Sequence, residues 1–244
     1  MVHTASARAE ARLGPWPHET TVGRLVLVDH RMQPTDIDVA EWVERARARH
    51  LTTLRTGALF PPSDRPFRRA GFIEIDRLAL LRRPLDGTPQ AAPAATTPET
   101  ATRDSVSLKA MRRWHLHRVA DLDVAAFGHR WGNDRAAIEE IRDATPTHRA
   151  RVAVDRSGVS GMAITGRAGE TAYLQRLAVD PDARRRGIAR ALVIDALRWA
   201  RRNRQMLVNT SVDNEAAIGL YRSLGFERDD ITLSVLELDL QADR

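Results

Sequence analysis

Residues 177–192 read Leu-Ala-Val-Asp-Pro-Asp-Ala-Arg-Arg-Arg-Gly-Ile-Ala-Arg-Ala-Leu: an apolar run, a Pro-containing turn, three arginines, a glycine and then a helical pattern. The first turn of a helix presents N–H groups without partners and about half a positive charge. Gly187 lets a ligand approach that backbone, and Arg184, Arg185 and Arg186 add positive field. The segment is therefore a cradle for an anion, with a diphosphate as its natural guest. Taken alone, it reads equally well as a solvated basic turn capping an ordinary helix. No Gly-x-x-x-x-Gly-Lys-Ser/Thr loop occurs, and no Gly-x-Gly-x-x-Gly follows a strand, so nucleoside triphosphate hydrolysis is disfavoured.

These residues need elements to hold them. Thr171–Val179 reads as a strand leading into the cradle, and Gly187–Arg202 as a helix with Ile188, Leu192, Ala196 and Trp199 on one stripe. Met206–Val212 follows as an apolar strand, Asn214–Leu224 as a helix stopped by Gly225, and Ile231–Leu240 as a closing strand. Upstream, Ser105–Met111 reads as an edge strand, Val119–Phe127 and Asp134–Ala144 as helices, and Arg151–Asp155 with Val159–Thr165 as a hairpin around Ser157-Gly158. The order is mixed α and β around a strand–loop–helix–strand unit.

Composition bounds the function classes. The 244 residues carry 43% hydrophobic and 29% charged side chains, enough for one large domain or two small ones. No run approaches the roughly 18 to 20 apolar residues of a membrane span, and residues 1–20 lack the layout of a secretory signal, so a cytoplasmic protein without membrane partners is expected. The absence of cysteine excludes thiol nucleophiles and zinc-thiolate sites. His115, His117, His129 and His148 have no metal-ligand spacing, so no metal is expected. Lys109 is the only lysine, and the formal charge of +6 comes from scattered arginines. With 5% aromatics there is little material for base-stacking platforms, which disfavours nucleic acid as a partner.

A second segment sharpens the reading. Asn214-Glu-Ala-Ala-Ile-Gly-Leu-Tyr-Arg-Ser-Leu-Gly-Phe226 begins 27 positions after Gly187. With both segments in this order, residues 105–244 resemble the GCN5-related N-acetyltransferase (GNAT) family: Arg184-x-x-Gly187-x-Ala189 resembles its pyrophosphate loop, and Asn214–Phe226 its second signature helix and Gly-Phe turn. The resemblance implies an acyl-CoA N-acyltransferase fold, an α+β arrangement of a twisted mixed sheet with splayed central strands flanked by helices. It implies acetyl-CoA as acyl donor, its diphosphate on the amides of Arg185, Arg186, Gly187, Ile188 and Ala189 with the side chains of Arg184 to Arg186 assisting. The pantetheine arm would run along Leu177, Ala178 and Val179, and Asn214 would contact it or position the last strand. Tyr221 would protonate the departing CoA thiolate, a task its phenol suits at neutral pH, while Leu220, Leu224 and Phe226 would be core.

The resemblance fails at the general base. Many family members carry Glu on the strand before the loop, and this chain has Gln175, which could at most order a water. Tyr173, Asn209 and Ser211 could face the cleft or serve as ordinary strand residues. The expected activity is acetyl transfer to a primary amine, on a small molecule, peptide or protein, by direct attack; a homodimer is compatible with the sequence. A non-catalytic acyl-CoA-binding or regulatory module stays open because of Gln175, and a nucleic-acid adaptor because of charge.

The rest of the chain divides by composition. Residues 87–104 are rich in Pro, Ala and Thr and read as a linker, and residues 1–20 as a flexible arm. The block 21–86 echoes the second. Asp29 to Gly71 spans 42 positions against 45 from Asp180 to Gly225, and Gly71-Phe72 matches Gly225-Phe226. It resembles a degenerate, smaller β-α-β-β half-domain, with chance similarity as the alternative. His30-Arg-Met-Gln-Pro-Thr replaces the arginine loop and no Tyr precedes Gly71. The block is expected to bind no acetyl-CoA and to pack on the catalytic unit.

Overall fold

The computed structural model describes residues 8–29, 32–85 and 106–242. The linker read at 87–104 and residues 1–7 of the arm lie outside them. The chain forms two compact units that interleave in sequence: residues 1–80, 210–214 and 229–244 make the first, and 81–209 with 215–228 the second. The sequence boundaries 21–86 and 105–244 follow the chain consecutively, whereas the first unit also takes in residues 210–214 and 229–244.

In the first unit, β1 (Ala11–Trp16) and β2 (Glu19–Leu27) form an antiparallel hairpin. The arm expected through residue 20 is thus strand from residue 11; Gly14 and Pro15 hide in sequence what Leu13 and Trp16 bury. Helix α1 (Asp36–Arg47) then leads to β3 (Thr53–Thr56), parallel to β2, and short α2 (Arg65–Arg69) to β4 (Ile73–Pro84). The closing strand β10 (Glu227–Asp239) runs antiparallel to β3. Trp42, Leu54, Phe67, Phe72 and Leu236 centre the core, with Phe72 edge-on to Phe67 at 5.3 Å. Burying such rings contributes on the order of 2 kcal/mol each.

The second unit contains β5 (Ser107–Ala110), α3 (Leu116–Trp131), α4 (Arg135–Asp143), β6 (Thr147–Asp155), β7 (Gly158–Ala168) and β8 (Thr171–Val179). Helix α5 (Ile188–Trp199), β9 (Gln205–Ser211) and α6 (Glu215–Ser223) complete the order. Its strands lie β9-β8-β7-β6-β5, with β8 and β9 parallel and the other pairs antiparallel. The period-2 alternation of β6 and β7 sends Val152, Met162 and Ile164 to one face, where Leu116, Val119 and Leu122 of α3 and Ile138 of α4 bury them. The opposite face carries α5. A Cβ on Gly161 would lie 2.8 Å from Ile188 Cγ2, so the missing side chain lets the first turn of α5 sit against the sheet. Hairpin and helix positions match the sequence reading, but β6 and β7 extend further than expected, and α3 starts earlier and kinks at Gly128 (φ 75°).

Candidate functional site

The cradle is built by the turn between β8 and α5. Asp180 N–H donates to Ser160 O at 3.0 Å, and Asp180 Oδ1 accepts from Asp182 N–H at 3.1 Å, closing a single 3-10 turn over Pro181–Ala183. Arg118 Nη2 holds the other carboxylate oxygen at 2.6 Å. Arg185 (φ 64°) and Gly187 (φ 76°) are both left-handed, the kind of backbone step from which anion-binding nests are made. The first helical bond runs from Ala191 N–H to Gly187 O at 3.0 Å, so the amides of Ile188, Ala189 and Arg190 are not used by the helix. Space above Gly187 is open: an added Cβ would meet nothing within 4 Å, so its glycine is demanded by conformation while the backbone remains approachable. Arg184, Arg185 and Arg186 are exposed around this opening. Arg186 pairs with Asp155 at 3.1 Å, and that carboxyl is held below its usual value chiefly by the Ser157 hydroxyl, with Arg186 assisting.

Beside the cradle, β8 loses a neighbour. Its parallel ladder with β9 covers only Thr171↔Gln205, Ala172↔Met206 and Tyr173↔Leu207, whereas its pairing with β7 continues to Val179. From Leu174 to Val179 the edge of β8 that faced β9 therefore has no ladder partner, and its alternate N–H and C=O groups are available to an extended amide chain. Leu177 and Val179 are half-buried. Ala178 turns its methyl into the α3 face of the core, so it can offer a ligand only main-chain groups, and Ile188, 2% exposed, is in the same position.

Tyr221 sits in α6, 4% exposed, with its ring 5.6 Å from Phe226. Burial pushes its phenol above the usual value of about 10, keeping it protonated. No group among the described residues hydrogen-bonds the hydroxyl. Arg190 Nη1 reaches Ser223 Oγ at 3.0 Å, tying the cradle helix to the helix that carries Tyr221. Leu224 and Phe226 are core, whereas Leu220 is only half-buried.

The remaining sequence candidates separate. Tyr173 is half-buried at the last rung of the β8–β9 ladder, and Asn209 is exposed on β9. Asn214 belongs to the first unit, where its Nδ2 donates to Thr210 Oγ1 at 3.1 Å, and Ser211 Oγ bonds Asp76 at 3.0 Å. Gln175 is the extra residue of a bulge in β8, between Leu174, paired with Thr165, and Arg176, paired with Ile164. Its Oε1 is buried without a partner, close to where a Gly166 side chain would stand and near Thr145 Oγ1.

The sequence reading missed a buried network beside that bulge. Asp123 on α3, fully buried, accepts from Arg176 Nε and Nη2 at 2.8 and 2.6 Å and from Asn133 N and Nδ2 at 2.7 and 3.0 Å. Arg176 also bonds Trp131 O at 2.8 Å and lies 3.8 Å over the Phe127 ring. The open stretch of β8 is thereby fastened to the kinked end of α3 and the loop after it. An Asp within an apolar helical stripe was the available signal.

The first unit repeats the element order of β7, β8, α5, β9, α6 and β10 but is closed wherever the second is open. Its β2–β3 ladder runs from Val22↔Thr53 to Leu25↔Thr56 and is extended by Thr52 N–H to Thr21 O and Gly57 N–H to Leu25 O, each 2.8 Å. The amide end of α1 is filled by its own capping box: Asp38 Oδ2 accepts from Thr35 N–H at 2.8 Å and Thr35 Oγ1 from Asp38 N–H at 3.2 Å, with Asp36 adding a second negative charge. Phe67 stands four residues before Gly71, as Tyr221 stands before Gly225. Phe72 N–H to Phe67 O (3.1 Å) repeats Phe226 N–H to Tyr221 O (3.0 Å).

Comparison with known proteins agrees with this geometry. The Acetyltransferase (GNAT) family model matches residues 112–226. The N-alpha-acetyltransferase RimI of Mycobacterium tuberculosis is 32% identical over 135 residues, 53% of this chain and 83% of that protein. The chain therefore belongs to the GNAT acetyltransferase family. An uncharacterized N-acetyltransferase of Methanocaldococcus jannaschii is 35% identical over 71 residues, 28% of this chain, which spans only 31% of that protein. Among solved structures, a tandem GNAT protein from the clavulanic acid biosynthesis pathway matches with a TM-score of 0.66 at 18% identity, over 98% of this chain and 81% of that one. A GCN5-related N-acetyltransferase from Sphaerobacter thermophilus matches with a TM-score of 0.59 at 15% identity, over 95% and 76% of the two chains. Both structures share the fold, including its mixed sheet flanked by helices. No helix among the described residues is long and apolar enough to cross a membrane.

Proposed function

We propose that the second unit transfers an acetyl group from acetyl-CoA to a primary amine by direct attack. The observation that carries this reading is the early end of the β8–β9 ladder at Tyr173, which leaves β8 open from Leu174 to Val179 as it runs into the amide end of α5. An extended amide-bearing arm suits that edge, and a diphosphate suits the amides of Ile188, Ala189 and Arg190 and the exposed Arg184 and Arg185. A main-chain N–H of Leu177–Val179 polarises the thioester carbonyl. The amine lone pair forms the C–N bond as the C–S bond breaks. Sulfur takes the phenolic proton of Tyr221, the new amide releases its surplus proton to water, and the phenolate regains a proton from water.

No carboxylate or imidazole stands on the open segment, whose residues are Leu174, Gln175, Arg176, Leu177, Ala178 and Val179. An α-amine, with a pKa near 8, is about a tenth to a third neutral at pH 7–7.5, whereas a lysine amine is neutral in about 0.1% of molecules. Without a resident base, the α-amine of a peptide or protein is the favoured acceptor, and the relative named an N-alpha-acetyltransferase supports this choice. The first unit takes no acetyl-CoA, because carboxylates occupy its helix end, its strands stay paired and Phe67 lacks the hydroxyl. The same missing base favours a second reading, a module that binds acyl-CoA without turnover.

Calorimetry with acetyl-CoA, followed by thiol release over α-amine peptides, lysine peptides and small amines, decides between the readings. Binding with turnover on α-amines is expected; binding without turnover on any amine supports the module, and no binding removes both.

A further inference from the structure

The 3-10 turn Arg113–His115 ahead of α3 turns Trp114 outward, leaving it 77% exposed. Its position is fixed: His115 Nδ1 accepts from Arg112 N–H at 2.9 Å, His115 N–H donates to Arg112 O at 2.9 Å, and Leu116 anchors the following helix in the core. Lys109, Arg112 and Arg113 are exposed around it, and their side chains form no ion pair among the described residues. The burial and neighbouring charges of Lys109 and Arg112 that hold His115 below its usual pKa place both cations close to this turn. Met111, two residues before it, lines a recess of about 370 Å³ whose rim includes Arg142, His148, Arg149 and Arg151. Asp195 serves both Arg149 and Arg151, and Asp143 pairs with Arg142, so cations outnumber carboxylates around recess and turn.

We infer that this surface binds single-stranded nucleic acid, a phosphate backbone lying along the cations and a base stacking on Trp114. Composition alone counted against such a partner, but one exposed indole beside Lys109, Arg112 and Arg113, which form no ion pair among the described residues, supplies the two parts such a site needs. Insertion into a membrane would need several apolar side chains together. Within the second unit, Trp114 is the only large exposed apolar residue among the described residues. The inference does not depend on the acetyltransferase reading.

Fluorescence anisotropy of the full chain with labelled 15-nucleotide oligo(U) and oligo(dT), at 50 to 200 mM salt, tests it. With three or four phosphates neutralised, the log–log salt slope should be about −2 to −3. Trp114→Ala should weaken binding roughly tenfold or more with the slope unchanged. Arg112→Gln with Arg113→Gln should flatten the slope by about 1.4. The two oligonucleotides distinguish RNA from DNA as the source of the strand; saturating acetyl-CoA should displace neither. No binding at 50 mM salt overturns the inference. So do equal affinity in Trp114→Ala, displacement by acetyl-CoA, or stronger binding to phosphatidylserine vesicles or polyglutamate. The exposure of Trp114 keeps the variant folded, which its melting curve checks.

Discussion

Replacing Tyr221 by Phe removes one oxygen and leaves everything else the ring does. The 5.6 Å contact with Phe226 persists, and the lost hydroxyl has no partner among the described residues, so stability should change by less than about 0.5 kcal/mol, or about 1–2 °C in Tm. A positioned acid contributes about 10²–10⁴-fold. A thiol with a pKa near 8.5 is already a fair leaving group, so the lower end applies, about 10²-fold in kcat, or about 2.7 kcal/mol. The diphosphate and pantetheine contacts are untouched, so the Kd for acetyl-CoA should move by less than about threefold, or about 0.7 kcal/mol. Thiol release at saturating acetyl-CoA gives kcat, and calorimetry gives Kd. Equal loss in both, or in neither, refutes the acid role. Because burial raises the folded phenol's pKa, this group should cause no alkaline fall in wild-type kcat below about pH 10. Above that pH the unfolded chain loses the proton first, so stability should decline as pH rises.

Three further outcomes follow from named contacts. Gly161→Ala places a methyl 2.8 Å from Ile188 Cγ2 and 3.3 Å from Ala178 O, and should cost about 1–3 kcal/mol in denaturant unfolding. Because Ile188 opens the cradle helix, acetyl-CoA affinity should fall by about tenfold as well, near 1.4 kcal/mol. Asp195 is destabilised in its charged form by burial, but hydrogen bonds from Arg149 and Arg151 outweigh this and lower its pKa. Asp195→Asn should therefore cost about 1–3 kcal/mol at pH 7, with the difference from wild type shrinking as pH falls below about 4. Thr35→Ala breaks the capping box of α1 and should cost about 1 kcal/mol while leaving acetyl-CoA affinity unchanged.

The parts of the site written in local sequence were legible. An apolar run, a Pro turn and a glycine before a 3.6-residue stripe determine β8, the turn and α5 almost residue for residue, because each is fixed by neighbours in the chain. Gly225 likewise stopped α6 where its left-handed φ of 79° requires it. What depended on tertiary pairing was not legible. The point where β9 leaves β8, the bulge at Gln175, and the burial of Asp123 under Arg176 arise from partners tens of residues away. The first strand was lost because Gly14 and Pro15 signal a loop, yet Leu13↔Leu25 and Gly14↔Arg24 pairing satisfies the backbone. Exposure of Trp114 could not be read from a list of aromatics either, since it follows from one 3-10 turn.

The most direct test of the central claim is a calorimetric titration of the full chain with acetyl-CoA beside acetyl-pantetheine, which lacks the diphosphate. One molecule of acetyl-CoA should bind per chain, and acetyl-pantetheine at least about 100-fold more weakly, a gap of about 2.7 kcal/mol. Equal affinity for the two, two molecules per chain, or no heat at saturation would contradict a diphosphate held at the head of α5.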